Sequence, residues 1–260
     1  MASTAATYRV GPPVPPKINH DNGFLDVCTP REASAEDRAL FALWTTKLEV
    51  GEAVQGLPGA PDLPDALAAY RHFLFGNGED REFSYERYVL GDPSGRTTLR
   101  NLIADAQLGA EDLYAKRGQR GSDQFQMVGS AIPCGARSTR FPYPETENWQ
   151  KAIGAHTVWL SAAVDVTKGD VTTRFVMLLQ VHAEDRYNFN PGQHDIATGI
   201  PDAANGRFEC SGLAQQYTNR AQLSRRIAWK AASRAAYTET IVPGGRPRQP
   251  QDNRRVRNRL

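Results

Sequence analysis

Residues 157–182 read TVWLSAAVDVTKGDVTTRFVMLLQVH, and this stretch determines the fold class. In the segment 157–166 apolar residues alternate with polar or small ones, which is the period of a half-buried β-strand. The segment 173–182 is apolar almost throughout and suits a second strand, and the Lys-Gly-Asp sequence at 168–170 suits a turn. The stretch therefore predicts an antiparallel β-hairpin.

Helical spacing of apolar residues predicts helices over three segments before the hairpin: 35–50, 65–75 and 94–117. Ser34 stands three residues before Asp37, a near-match to a capping box at the start of the first helix. We expect a break in the third helix near Gly109. Residues 207–237 look mostly helical. The predicted fold class is α+β, with N-terminal helices followed by an antiparallel hairpin-rich sheet and a C-terminal helix.

The chain divides into an arm, one domain and a tail. Residues 1–30 contain GPPVPP and predict an extended Pro-rich arm. Residues 31–237 predict a single α+β domain, helical over 31–120 and sheet-rich over 121–237. Residues 238–260 predict a basic, disordered tail.

Composition excludes several classes of protein. Of the 260 residues, 40% are hydrophobic and 23% are charged, which excludes collagen, a coiled coil and wholesale disorder. No apolar run is long enough for a membrane helix, and the N-terminal sequence predicts no Sec-type signal peptide. The three cysteines, Cys28, Cys134 and Cys210, are far apart, so we expect ordinary buried thiols, with one disulfide left open.

Positive charge concentrates at the C-terminal end. Residues 220–260 contain eleven Lys and Arg against two acidic residues, although the whole chain carries a net charge of only +2. Such a segment attracts nucleic acid, anionic lipid or an acidic protein, or it is simply solvated. Residues 213–237 mix apolar and basic residues, which suits either a helix on a membrane surface or a helix docked on the sheet.

The segment 184–195, EDRYNFNPGQHD, follows the most apolar predicted strand and carries the best candidates for chemistry. Asp185, His194, Asp195 and Asp202 supply three carboxylates and an imidazole, groups that bind a hard divalent ion and transfer protons. Asn-x-Asn-Pro-Gly is also ordinary turn chemistry, so a purely structural loop is the alternative. We find no Walker A, GxSxG, HExxH or EF-hand pattern.

The spacing Asp185-x-Tyr187-Asn188-x5-His194 resembles the Asp-x-Tyr-Asp-x5-His-Arg signature of the colicin M family. Asn188 stands where that family has Asp, and Asp195 stands where it has Arg. Members of the family are Mg-dependent phosphodiesterases that cleave lipid II between the lipid and the pyrophosphoryl group. A second resemblance, over FPYPETENWQKAIGAHTVWLSAAV and HAEDRYNFNPGQHDIATGIPDAANGRFECSGLAQQY, is to toxin-like domains of proteobacteria and covers roughly residues 65–220.

The colicin M resemblance implies a catalytic set of Asp185, Tyr187, Asn188, His194 and Asp195. It implies Mg²⁺ held by Asp185 and Asp195, His194 as general base or acid, and contacts to the substrate from these residues: Arg186, Arg207 and Asp202.

Together the resemblances imply a toxin that is secreted or delivered into a target cell without a Sec signal and acts in the periplasm. Its implied partners are a lipid-linked substrate at the membrane surface and an immunity protein. The alternative is a non-catalytic binding or delivery module whose basic tail binds nucleic acid, anionic lipid or a secretion partner.

Overall fold

The computed structural model describes residues 4–119 and 121–242. Within these residues the helices are α1 (Ala35–Ala53), α2 (Pro64–Phe75), α3 (Tyr85–Gly91), α4 (Pro93–Lys116), α5 (Glu147–Ala152) and α6 (Ala203–Cys210). The strands are β1 (Tyr8–Val10), β2 (Arg81–Glu82), β3 (Asp123–Gly129), β4 (Ile132–Cys134), β5 (His156–Lys168), β6 (Thr173–Tyr187), β7 (Tyr217–Lys230) and β8 (Thr238–Val242). No helix in this part of the chain has the length and apolar character needed to cross a membrane.

All eight strands form one sheet in the order β1–β3–β5–β6–β7–β2, with β4 also pairing with β5 and β8 with β7. The β2–β7 pairing is parallel and the other described pairings are antiparallel. The predicted hairpin is present as β5 and β6, and β6 runs five residues beyond the predicted end at His182. The α+β class is therefore confirmed.

Two hydrophobic clusters pack against the sheet. Alternate residues of β6, from Phe175 to Ala183, face the larger cluster, where residues of α4 such as Leu102 and Ala106 cover them. The smaller cluster joins α1, α2, α6 and the start of β7, with Phe73 and Tyr217 fully buried within it. The far end of β6 lies where the two clusters meet.

The predicted capping box is present at the start of α1. Ser34 Oγ accepts a hydrogen bond from the backbone N–H of Asp37 at 3.1 Å, and an Asp37 carboxylate oxygen accepts from the Ser34 N–H at 2.9 Å. The expected break in α4 near Gly109 is wrong. A Cβ on Gly109 would lie 2.4 Å from a ring carbon of Tyr8, so glycine is needed there for close packing and not for a kink.

The predicted C-terminal helix is wrong. The α-helix of this region is Ala203–Cys210, Tyr217–Lys230 is the long strand β7 between β6 and β2, and a short 3₁₀ helix follows at Ala231–Ser233. Leu223 and Ile227 are four residues apart, which suits both a helix face and one face of a strand. Asn219 and Arg225 are polar residues in the core-facing row of β7. They interrupt the alternation of apolar and polar residues by which a strand is identified in a sequence. The basic amphipathic helix proposed for 213–237 is therefore wrong as well.

The predicted arm and tail both contribute strands. In the arm, Tyr8–Val10 pairs antiparallel with β3, and His20 Nε2 lies 2.7 Å from Glu184 Oε1 of β6. In the predicted tail, Thr238–Val242 pairs with β7, and residues 243–260 lie outside the described part of the chain.

The expectation of three separate thiols is wrong, because Cys28 and Cys210 form a disulfide and Cys134 is buried and free. The bond joins the arm, just after a 3₁₀ turn at Gly23–Asp26, to the last residue of α6. Residues 182 positions apart in the sequence are thereby linked.

Arg225 allows a direct test of the buried charge in β7. It is 2% exposed, donates from Nε to Glu239 Oε1 at 2.8 Å, and donates from Nη2 to Glu86 Oε1 at 2.7 Å. We expect Arg225→Ala to lower the free energy of unfolding by about 3 kcal/mol, because it leaves two half-buried carboxylates without their partner. Urea denaturation measures the change.

The matched control is Arg226→Ala, because Arg226 is exposed on the other face of the same strand. We expect a change within about 0.5 kcal/mol for this variant. Equal effects of the two substitutions would contradict the assigned network.

The disulfide gives a second test. We expect the Cys28→Ser/Cys210→Ser variant to unfold at lower urea concentration, with a loss of about 2–5 kcal/mol, because the unfolded chain is no longer cross-linked. Thiol titration of the denatured wild type is expected to find one free thiol before reduction and three after it. Three thiols before reduction would show that the bond is absent.

Candidate functional site

Three polar side chains lie side by side across β2, β7 and β6. Arg81 and Asp185 are each the register partner of Asn219, on opposite sides of it. Arg81 Nη1 donates to Asn219 Oδ1 at 3.0 Å, and Asn219 Nδ2 donates to Asp185 Oδ2 at 3.5 Å and to the Ala152 carbonyl at 3.1 Å. We call Arg81, Asn219 and Asp185 the polar row.

Asp185 is 6% exposed and continues the core-facing side of β6. Burial raises the pKa of Asp185 well above its usual value, and the negative charge of Asp21 raises it further. The hydrogen bond from Asn219 and the positive charge of Arg186 oppose this shift. Asp185 therefore holds its proton to higher pH than an exposed aspartic acid does, which suits a proton donor.

Tyr187 and Asn188, the next two predicted site residues, are held by packing and by the arm. The Tyr187 ring stacks on Tyr217 with centroids 5.1 Å apart, and burial raises its pKa. Asn188 Nδ2 donates to the side chain of Asp21 at 2.8 Å and to its carbonyl at 3.1 Å. Asn188 thus positions the Asp21 carboxylate near Asp185.

The acidic residues of the loop after β6 have hydrogen-bond partners of their own. Asp195 accepts from the Thr198 N–H and hydroxyl at 2.6 Å each, and its other oxygen lies 3.3 Å from Lys151 Nζ of α5. Burial opposes ionisation of Asp195, but the bonds from Thr198 and the charge of Lys151 lower its pKa overall. Asp202 accepts from the Asn190 N–H at 3.0 Å, and burial raises its pKa.

His194 is exposed in this loop, where its backbone bridges Pro201. The positive charge that His194 can carry lowers the pKa of Asp202, so the two side chains interact electrostatically. Three of the predicted carboxylates influence Tyr143. Burial raises the pKa of its hydroxyl group, and the negative charges of Asp185, Asp195 and Asp202 raise it further.

The predicted metal ligands do not form a metal site in this structure. Across residues 4–119 and 121–242, no group of three or more His, Cys, Asp and Glu side chains is arranged to hold a metal ion. Asp185 is bonded to Asn219 in the sheet, whereas Asp195 is bonded within its own loop and to Lys151. The side chains present therefore do not fit the expected Mg²⁺.

The two predicted phosphate-binding arginines are already engaged. Arg186 donates from Nε to Gln216 Oε1 at 2.9 Å and from Nη1 to Thr218 Oγ1 at 3.3 Å. Arg207 lies on α6 and forms ion pairs with Glu36 and Asp37 at the start of α1. Of the two, Arg186 is the one whose charge reaches Asp185.

Glu209 of α6 was not predicted from the sequence. It is 6% exposed, its Oε1 accepts from the Phe189 N–H at 3.4 Å, and its Oε2 is buried without a hydrogen-bond partner among the described residues. Burial raises its pKa to about 8, with Asp202 and Asp21 adding to the shift. Asp21 raises the pKa of both Glu209 and Asp185, and a buried carboxyl group with a strongly raised pKa is the kind of group that catalytic sites contain.

Different reasons explain why these residues were missed. Asn219 and Arg81 become visible only if 217–230 is interpreted as a strand beside β6, which places Asn219 opposite Asp185. Glu209 is distant from the loop in the sequence and lies in no motif, so no local signal identifies it.

No protein-family model matches this chain, and no curated protein matches its sequence. A solved structure described as PaeM, a colicin M-like bacteriocin produced by Pseudomonas aeruginosa, is distantly similar, with a TM-score of 0.38 and 15% sequence identity. The alignment covers 68% of this chain and 58% of that protein, so the chain spans less than two thirds of its length. A likeness of this size establishes neither family nor activity.

The protonation of Glu209 can be tested by stability. With an ordinary pKa of 4.5 and a folded-state pKa of about 8, Glu209 ionises in the unfolded chain while it stays protonated in the fold. Its contribution to stability therefore falls as pH rises from about 4.5 to about 8. We expect Glu209→Gln to match the wild type near pH 4 and to become progressively more stable than it up to pH 8 in urea denaturation.

Glu49→Gln is the control, because Glu49 is exposed on α1. It is expected to follow the wild type at every pH. A constant difference between Glu209→Gln and the wild type from pH 4 to pH 8 would show that Glu209 does not hold a proton in the fold.

Proposed function

We propose that this protein is a bacteriocin-like antibacterial hydrolase that cleaves a lipid-linked pyrophosphate of the cell envelope. The observation that carries the proposal is the carboxyl group of Asp185, buried at the end of a central strand and hydrogen-bonded to Asn219, with a pKa that burial raises. The colicin M-like spacing around Asp185 adds a substrate class to this chemistry.

The polar row supplies both binding and proton transfer. Arg81 donates to Asn219 and attracts phosphate oxygens, and Asn219 donates to Asp185 and fixes the orientation of its carboxyl group. A general acid must be held in place and must carry its proton at working pH. Asp185 meets both requirements.

The proposed reaction is hydrolysis at phosphorus. A water oxygen bonds to the phosphorus next to the lipid, and the bond between that phosphorus and the lipid oxygen breaks. Asp185 gives its proton to the departing lipid oxygen, and His194 accepts the proton that the water loses. The products are a lipid alcohol and a pyrophosphate ester.

The expected Mg²⁺ remains a prediction, and no step above depends on it, because the described side chains do not form a site that fits the ion. The remaining substrate contacts predicted from the sequence, Asp202 and Arg207, also remain proposals. We further propose delivery into a target cell, action in its periplasm, and an immunity protein as partner. The Cys28–Cys210 disulfide supports action in an oxidising compartment.

The test replaces Asp185 by Asn, which preserves its shape and removes its acidic proton. We expect hydrolysis of a purified lipid-linked pyrophosphate to fall by about 100-fold or more. Periplasmic expression in a Gram-negative host is expected to cause lysis with the wild type and not with Asp185→Asn. Asp165→Asn, an exposed carboxylate on β5, is the matched control and is expected to retain full activity.

Full activity of Asp185→Asn, or the absence of turnover in the wild type with and without added Mg²⁺, would contradict the proposal. Undiminished lysis by Asp185→Asn without hydrolysis would favour the binding or delivery module.

A further inference from the structure

A groove of about 520 Å³, the α1–α2 groove, runs along α2 from the C-terminal end of α1 at Glu52 to Arg81 of the polar row. Pro64, Leu67, Ala68 and Phe75 form apolar walls, and His72 and Arg81 are among its polar lining residues. Binding sites for small molecules have this size and this mixture of apolar surface with a few polar groups.

Two arginines line the groove, and they differ in their partners: Arg71 is paired with a carboxylate, whereas Arg81 is bonded to a neutral amide. Arg71 is bound by the Glu52 carboxylate through two nitrogens, one of them at 2.6 Å, so its charge is neutralised locally. Arg81 donates to the neutral amide of Asn219, and no carboxylate of the described residues forms an ion pair with it. A partly buried guanidinium without a counter-ion favours an anionic ligand.

Arg81 also connects the groove to the candidate site. Its bond to Asn219 places it across β7 from Asp185, and its charge acts on the buried rings of Tyr187 and Tyr217. An anion held by Arg81 therefore lies at the edge of the polar row, while an attached hydrocarbon follows the apolar walls of the groove.

We propose that the α1–α2 groove binds the hydrocarbon chain of a phosphate-headed lipid and that Arg81 binds its phosphate. This inference rests on the proposed function, since it assigns the lipid part of that substrate to a place on the fold. It makes Arg81 a substrate-binding residue and the groove the determinant of specificity for a long apolar chain.

The test measures binding of monododecyl phosphate, below its critical micelle concentration, by titration calorimetry. The comparison ligands are dodecanol, which lacks the anion, and inorganic phosphate, which lacks the chain. We expect the wild type to bind monododecyl phosphate more tightly than either comparison ligand. Arg81→Gln is expected to weaken that binding about tenfold or more, because a charged hydrogen bond is lost. The control Arg226→Gln, on an exposed face of β7, is expected to change nothing.

Ala68→Trp fills the groove from its exposed side and leaves the buried residues of α2 in place. We expect this variant to lose monododecyl phosphate binding and to unfold at the same urea concentration as the wild type. Wild-type binding by both Arg81→Gln and Ala68→Trp, or equal binding of dodecanol and monododecyl phosphate, would overturn the inference.

The outcomes separate this inference from the proposed function. Asp185→Asn is expected to bind monododecyl phosphate like the wild type. Binding in the groove together with full hydrolysis by Asp185→Asn would support the groove and contradict the assigned acid. Full hydrolysis of the lipid-linked pyrophosphate by Ala68→Trp would contradict the groove and leave the assigned acid intact.

Discussion

The side chain of Asp185 points to the core side of the sheet because the alternation along β6 allows it no other direction. Twelve residues of β5 pair with β6, and the pairing with β7 extends to Tyr187, so neither strand can shift its register without exposing the whole apolar row. A carboxyl group at position 185 must therefore be buried. Its raised pKa follows from this constraint, because an ionised group there would lose its hydration without gaining a cationic partner in contact.

The segments around Asp185 pack against the end of β6 and the loop that follows it. The arm reaches the end of β6 through His20 and Asp21, which contact Glu184 and Asn188. The Phe24 N–H donates to the Phe189 carbonyl at 3.1 Å, so the arm also holds the start of the long loop. The disulfide then ties the arm to α6, the helix that carries Glu209. Elements distant in sequence thus depend on one another to bury the carboxyl groups of Asp185 and Glu209.

The sequence predicted the β5–β6 hairpin and three helices, because each depends on local periodicity, and a short motif directed attention to Asp185, whose role stays a prediction. The prediction failed for β7 because a spacing of four residues, as between Leu223 and Ile227, fits both a helix and a strand. It also failed because Asn219 and Arg225 are polar although they face the core. The same failure concealed half of the site. Until β7 is placed beside β6, no pattern in the chain brings Asn219 to Asp185, and the polar row arises only from pairing between strands.

The candidate site differs from the rest of the fold in the number of hydrogen bonds that its buried carboxyl groups accept. Asp92, fully buried, accepts hydrogen bonds from Ser94, Gly95, Glu145 and Thr146, and Asp105 accepts from Ala5, Ala6, Tyr8 and Arg140. By contrast, within residues 4–119 and 121–242 Asp185 accepts one long hydrogen bond from a neutral amide, and Glu209 accepts one bond and has an oxygen without a partner. Asp92 and Asp105 show that this fold can give a buried carboxylate several hydrogen bonds. Packing alone therefore does not explain why Asp185 and Glu209 accept so few. Incomplete satisfaction costs stability, and it is the feature from which the proposed role of Asp185 as a proton donor is argued.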